Sequence, residues 1–215
     1  MPLNPASLDT PAIDPVRLRI VAEARRHFLS HGFRGVTMSD LAAELGMSKK
    51  TLYAHFLTKI DLVAAVLRHK FEEIERELAS STSGCSTDFL AALQQMLACL
   101  QKHTSELQPP FVRDMQRASP ELFQMVECRR QELIQRYFGT LFSEGQTRGM
   151  IRDDVPVTVI VAMLLAATQA IVNPTVLGEL GLTPASGFAA VITVVLEGVL
   201  TRKGRSHDDR STLAD

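Results

Sequence analysis

Two very short helices separated by three residues constrain this chain more than any other feature. Thr37 opens the first, with Asp40 three positions on as capping partner, and Leu41, Ala42 and Leu45 form its apolar stripe. Gly46, Met47 and Ser48 make the turn. Ser48 then caps a second short helix whose buried pair is Leu52 and Phe56. A helix meant only to fill a core has little reason to be two turns long, firmly capped and basic at its start. Lys49, Lys50 and Thr51 occupy that start. In a helix-turn-helix the second helix enters the major groove of DNA by its N-terminal residues, where donors to guanine and phosphate are needed. The free backbone N–H groups and positive dipole end of the helix act at the same place.

The flanking segments extend this unit. Asp14 before Pro15 is an N-cap with proline at the first helical position, and Ile20, Ala24 and Phe28 follow at helical spacing until Gly32. Thr58 caps a fourth helix with Asp61 at its third position. Its stripe is Val63, Val66, Leu67, Ile74 and Leu78, and the pattern predicts an end near Ala79. The formal net charge of the 215 residues is -1, but it is unevenly distributed. Residues 15–70 hold 10 Lys or Arg against 4 Asp or Glu, whereas residues 71–215 hold 13 against 18. A basic, anion-binding head on an acidic body is the reading.

Residues 80–87 (SSTSGCST) are small or turn-forming and mark the expected boundary between head and body. The body reads as helices throughout, giving an all-α fold of about nine helices. Two long apolar runs close it, Val155 to Val172 and Phe188 to Leu200, joined by an expected loop from Asn173 to Pro184. The first run approaches the length of a membrane span, but Pro156, Thr158, Thr168 and Gln169 favour a buried helix and no membrane is expected. Three cysteines without CxxC pairing point away from a disulfide framework and toward a reducing cytoplasm. The first 14 residues lack the apolar core of a secretory signal. No nucleophile elbow, phosphate loop or clustered metal-ligand spacing is present, so no enzyme, cofactor or metal is expected.

The segment GMSKKTLYAHFLTKIDL, Gly46 to Leu62, closely resembles the recognition segment of TetR-type transcriptional repressors, and HFLSHGFRGVTMSDLAAELGMS, His27 to Ser48, resembles their first two helices. The resemblance is specific over residues 15–65 and only architectural beyond residue 80. It implies a cytoplasmic Ω-shaped homodimer with two DNA-binding heads on a ligand-binding, dimerising body. It also implies phosphate contacts from Thr37, Thr51, Tyr53, His55 and Lys59, with Lys49 and Lys50 facing bases or nearby phosphates and Ser48 capping the helix that carries them. Position 50 is commonly Gly in the family, so Lys50 is a departure.

Four segments are expected: an arm over 1–14, a DNA-binding unit over 15–65, a ligand-binding and dimerising unit over 66–203, and a tail over 204–215. Operator DNA and a small apolar or amphipathic effector are the expected partners. Phe89, Leu93, Met96, Phe111, Met115, Phe123, Phe138 and Phe142 are the candidate pocket side chains, with Arg113, Asp114 and Arg117 as possible polar contacts. The expected dimer faces are Thr158, Ala162, Leu165, Ala166 and Gln169 on one helix and Phe188, Ile192, Val195 and Val199 on the other. A membrane-tethered adaptor and a helical enzyme are the competing readings.

Overall fold

The computed structural model describes residues 14–83 and 89–201, and among these it contains ten helices and no strand. The expected arm up to residue 13, the part of the turn-rich segment over 84–88 and the tail from 204 lie outside the described residues. The head helices are α1 (Pro15–His31), α2 (Met38–Glu44) and α3 (Lys49–His55). Each start has the cap that its sequence announces. Asp14 accepts the Val16 N–H at 2.9 Å, Thr37 and Asp40 form a reciprocal capping box, and Ser48 accepts the Thr51 N–H at 3.1 Å. The turn between α2 and α3 depends on Gly46, whose φ of 62° lies where a side chain is strained. It lets Met47 donate back to the Ala42 carbonyl at 2.9 Å.

Helix α4 (Lys59–Ser83) links the two halves and is longer than its sequence pattern predicts. The expected stop near Ala79 does not occur, because the Ser80 and Ser81 hydroxyls donate to the Glu77 carbonyl at 2.7 and 3.0 Å and are absorbed into the helix. The body adds α5 (Phe89–Ser105), α6 (Pro109–Ala118), α7 (Pro120–Thr147), α8 (Val157–Ile171), α9 (Pro174–Leu180) and α10 (Pro184–Val199). Helix α9 replaces the loop expected between the two apolar runs. Asn173 caps it ahead of Pro174, and Gly181 ends it at φ 65°. No helix among the described residues is long and apolar enough to cross a membrane.

Two apolar cores form. One gathers Ile20, Phe28, Leu41 and Leu52 of the head with Val66 of α4, together with Phe111, Met115 and Leu122 from α6 and α7. The other fills the body around Met96, Phe138, Phe142, Leu164 and Ile192. Helix α6 thus packs on the head. The Gln108 N–H donates to the Leu29 carbonyl at 3.1 Å, Phe111 meets Phe33 edge-on with centroids 6.0 Å apart, and Asp114 accepts the Arg34 N–H at 2.9 Å. Gly32, at φ 80°, leaves room for that Asp114 carboxylate.

The face of α10 expected to be a dimer seam is turned inward: Phe188, Ile192 and Val199 are buried in the body core and Val195 is packed against it. Two long apolar helices offer several stripes, and packing against α5 and α8 selected this one for the core. On α8 the expected face is largely outward. Thr158, Ala162, Ala166 and Gln169 are exposed and Leu165 is half-buried.

A charged network seals the junction of α1, α4 and α5. Arg25 pairs with Glu73 and, at 2.6 Å, with Glu106, and the nearly buried Lys70 ammonium sits 2.7 Å from the same Glu106 oxygen. Burial works against the charge on Glu106, yet hydrogen bonds from Arg25 and Lys70 outweigh it and hold its carboxyl below the usual carboxylate range. A carboxyl lowered in the folded state stabilises the fold above its unfolded pKa, and that stability is lost as the pH falls through the folded value. Glu106→Gln is expected to cost about 2 kcal/mol at pH 7, less than the roughly 3–5 kcal/mol of a fully buried pair because Glu106 keeps some contact with water. The variant should also lose less stability than the parent between pH 5 and pH 3. Urea melts at both ends of that range check the prediction.

Candidate DNA interface and ligand cavity

The side chains of Thr37, Ser48, Lys49, Lys50, Thr51 and Tyr53 are all exposed and belong to the starts of α2 and α3 and the outer side of α3. Ser48 and Thr51 also meet through their hydroxyls at 2.9 Å, so the first turn of α3 is held in place before any partner arrives. Asp40 stays ionised below its usual pKa because the Thr37 hydroxyl and N–H both donate to it, with a smaller contribution from Lys49. The only acidic group in the first turn of α2 is therefore spent on the cap, and α3 has none in its first turn.

His55 and Lys59 each hold a contact within the protein. The His55 ring places Nδ1 3.0 Å from the Asp14 carboxylate, which ties the end of α3 to the start of α1. The Lys59 ammonium donates to the Val36 carbonyl at 3.1 Å and lies 3.5 Å from that of Arg34, both in the loop before α2. Arg17 and Arg19 of α1 complete the frame. Arg17 donates to the His55 carbonyl at 3.0 Å and lies 4.2 Å above the Phe56 ring, and Arg19 donates to the Leu45 carbonyl. Both acceptors end the two short helices, where free carbonyls favour a cation. Arg17 and His55 thus fix the end of α3 against α1, while Arg19 holds the end of α2 and Lys59 ties the start of α4 to the loop before α2.

The body holds a cavity of about 140 Å³ bounded by α4 to α10. Its walls are mostly apolar, with Leu67, Ile74, Phe123, Leu133, Phe138 and Phe188 among them. Of the candidate pocket residues, Met115, Phe123 and Phe138 line it. Phe89, Leu93, Met96 and Phe142 are instead packed in the body core, and Phe111 lies in the head core. The reason is one of position along the helices: the cavity opens beside Leu100, His103 and Thr104, further along α5 than the expected side chains. Arg113, Asp114 and Arg117 do not line it. Its polar side chains are Lys70, His103, Glu127 and Arg130, with Thr104 and Thr168. Burial pulls both Lys70 and His103 below their usual pKa values, and the Lys70 charge adds to the effect on His103.

A profile described as bacterial regulatory proteins, tetR family, matches residues 20–66. Over 166 residues the chain is 31% identical to the HTH-type transcriptional repressor SCO4008 of Streptomyces coelicolor, covering 76% of this chain and 83% of that protein. This chain belongs to the TetR family. As a TetR-family protein it is a helix-turn-helix transcriptional regulator that binds DNA. It is also 27% identical over 161 residues to the HTH-type transcriptional repressor DhaR of a Mycobacterium species, covering 72% of this chain and 79% of DhaR. A transcriptional regulator from Cytophaga hutchinsonii shares the fold of this chain with a TM-score of 0.67 at 18% identity, over 87% of this chain and all of that one. TetR regulators bind DNA as dimers and respond to small ligands.

Proposed function

We propose that the protein is a cytoplasmic repressor that binds a near-palindromic operator as a homodimer and leaves it when an apolar or amphipathic small molecule occupies the cavity. One observation carries the reading: the exposed, doubly basic first turn of α3, held by its Ser48 cap, on a short helix whose surroundings are tied together by Arg17, Arg19, His55 and Lys59. Residues 15–65 form the DNA-binding unit and residues 66–203 the unit that dimerises and binds the effector. Lys49 and Lys50 reach the major groove. Thr37, Thr51 and Tyr53 take phosphates on either side, and His55 and Lys59 act through the frame they hold. Two copies meet through the outward faces of α8 and α10, which places two recognition helices on half-sites about 34 Å apart or a multiple of it.

The effector reading rests on the apolar walls of the cavity and its place between α4 and α6, both of which pack on the head. A ligand shifts the operator equilibrium only by its differential affinity for two states, and a coupling of about 1–3 kcal/mol corresponds to a 5- to 150-fold change. The test begins with selection of double-stranded sequences from a random pool by the full chain. Recovery of an inverted repeat is expected. A compound library is then screened by thermal shift, and each hit is titrated with and without that operator. Equal ligand affinity in the two titrations would disprove the coupling, and a pool that remains random would disprove sequence-specific repression.

A further inference from the structure

We infer that Glu77, Cys99 and His103 form a binding site for a divalent metal ion of the Zn²⁺ kind, with a carboxylate, a thiolate and an imidazole as protein ligands. The inference goes beyond the regulator reading and does not depend on it. Cys99 and His103 stand four residues apart on α5 and so share one face, and Glu77 comes from α4 beside them. One ligand atom from each lies within 4.8 Å of the other two. With Zn–S near 2.3 Å and Zn–N near 2.0 Å, tetrahedral ligands stand roughly 3.3–3.6 Å apart, so rotation of side chains alone closes the set. Sulfur, imidazole nitrogen and one carboxylate oxygen are the donors that Zn²⁺ and its late first-row neighbours prefer, and three protein ligands leave a fourth position open.

A second observation points the same way. His103 is only 2% exposed, and its Nε2 is a buried nitrogen without a hydrogen-bond partner. Glu77 Oε1 faces it at 3.3 Å as an ion-pair partner rather than as a well-made hydrogen bond. A buried ring nitrogen and a carboxylate that face each other without a well-made hydrogen bond leave a place for an ion to join them. The opposite nitrogen, Nδ1, accepts a hydrogen bond from the Lys70 ammonium at 3.5 Å and lies 3.8 Å from Glu106 Oε1. When Nε2 binds the ion, the ring proton moves to Nδ1, which gives up its hydrogen bond from Lys70 and donates to Glu106 once Oε1 closes the 3.8 Å gap, an arrangement common around metal-bound histidine. Lys70 keeps its 2.7 Å contact to the other oxygen of Glu106. Lys102, largely in solvent, releases Glu77 from their 2.8 Å pair.

Burial, and the Glu77 carboxylate next, push the Cys99 thiol up to about 12, so the apo site is neutral at sulfur. Binding therefore expels the thiol proton to solvent, one per ion, and the ion's own charge drives it.

The experiment titrates the reduced full-length protein with Co²⁺ as a visible substitute for Zn²⁺. One equivalent is expected to bind with a thiolate-to-cobalt charge-transfer band in the near ultraviolet and release of one proton, and Zn²⁺ should bleach the band. Cys99→Ser should abolish it, whereas Cys85→Ser and Cys128→Ser should leave it intact. Glu77→Gln, a change at a partly exposed position that leaves the core untouched, should weaken binding at least tenfold while circular dichroism stays unchanged. Absence of the band at saturating Co²⁺ overturns the inference. So does a band that survives Cys99→Ser, or a Glu77→Gln protein that binds as tightly as the parent.

Discussion

Lys49→Glu is expected to weaken operator binding by at least 100-fold at physiological salt while leaving the fold intact. Truncation of one base-contacting side chain costs about 1–3 kcal/mol, and a carboxylate at the same place adds repulsion from neighbouring phosphates. The substitution is benign for the helix itself, because a negative charge in the first turn opposes the positive dipole end. Lost binding therefore cannot be ascribed to melting of α3, whose Ser48 cap is untouched. Fluorescence anisotropy over a salt series, with a thermal melt of each protein, makes the measurement. Lys49→Ala and Lys50→Ala then divide the roles. A phosphate contact lowers affinity on all sequences and flattens the salt slope by about 0.9, whereas a base contact relaxes preference at one base pair. Binding by Lys49→Glu within threefold of the parent would remove α3 from the groove.

The second large effect concerns assembly. Val194 on α10 is 72% exposed and Met163 on α8 is 61% exposed, with Val159 half-exposed beside them and Ala162, Ala166 and Ala190 exposed on the same two helices. An apolar surface of this extent on two packed helices is costly in water and fits a two-fold seam. Val194→Glu is expected to give a folded monomer that has lost paired half-site binding. Ile192→Glu, two residues away but only 6% exposed in the body core, should instead unfold the protein, since a buried unpaired charge costs several kcal/mol. Sedimentation velocity at micromolar concentration and circular dichroism separate the outcomes. A Val194→Glu protein that still sediments as a dimer would move the seam elsewhere.

The residues that were legible in the sequence share one property. Asp14, Thr37, Asp40, Ser48 and Gly46 act on backbone groups within a few positions of themselves, so their spacing alone states what they do. Helix α9 was written in the same way, with Asn173 and Pro174 at its start and Gly181 at its end, though its seven residues carry too short a stripe to compete with a loop reading. Arg17, Arg19, His55 and Lys59 were not legible as a frame. A long side chain has many carbonyls within reach, and only the relative placement of the helices decides which one it meets.

By itself, then, the sequence determined an all-α chain, the caps and turn that aim α3, and the basic charge at its tip, because those follow from interactions between near neighbours along the chain. The tertiary structure decided which stripe of α10 turned inward, where among α4 to α10 packing left a cavity, and that Glu77 of α4 would face Cys99 and His103 of α5. Periodicity marks a face as apolar but does not rank one stripe over another. A void or a cluster of ligands arises only from the relative rotation of separate helices, which the summed packing of the whole core sets.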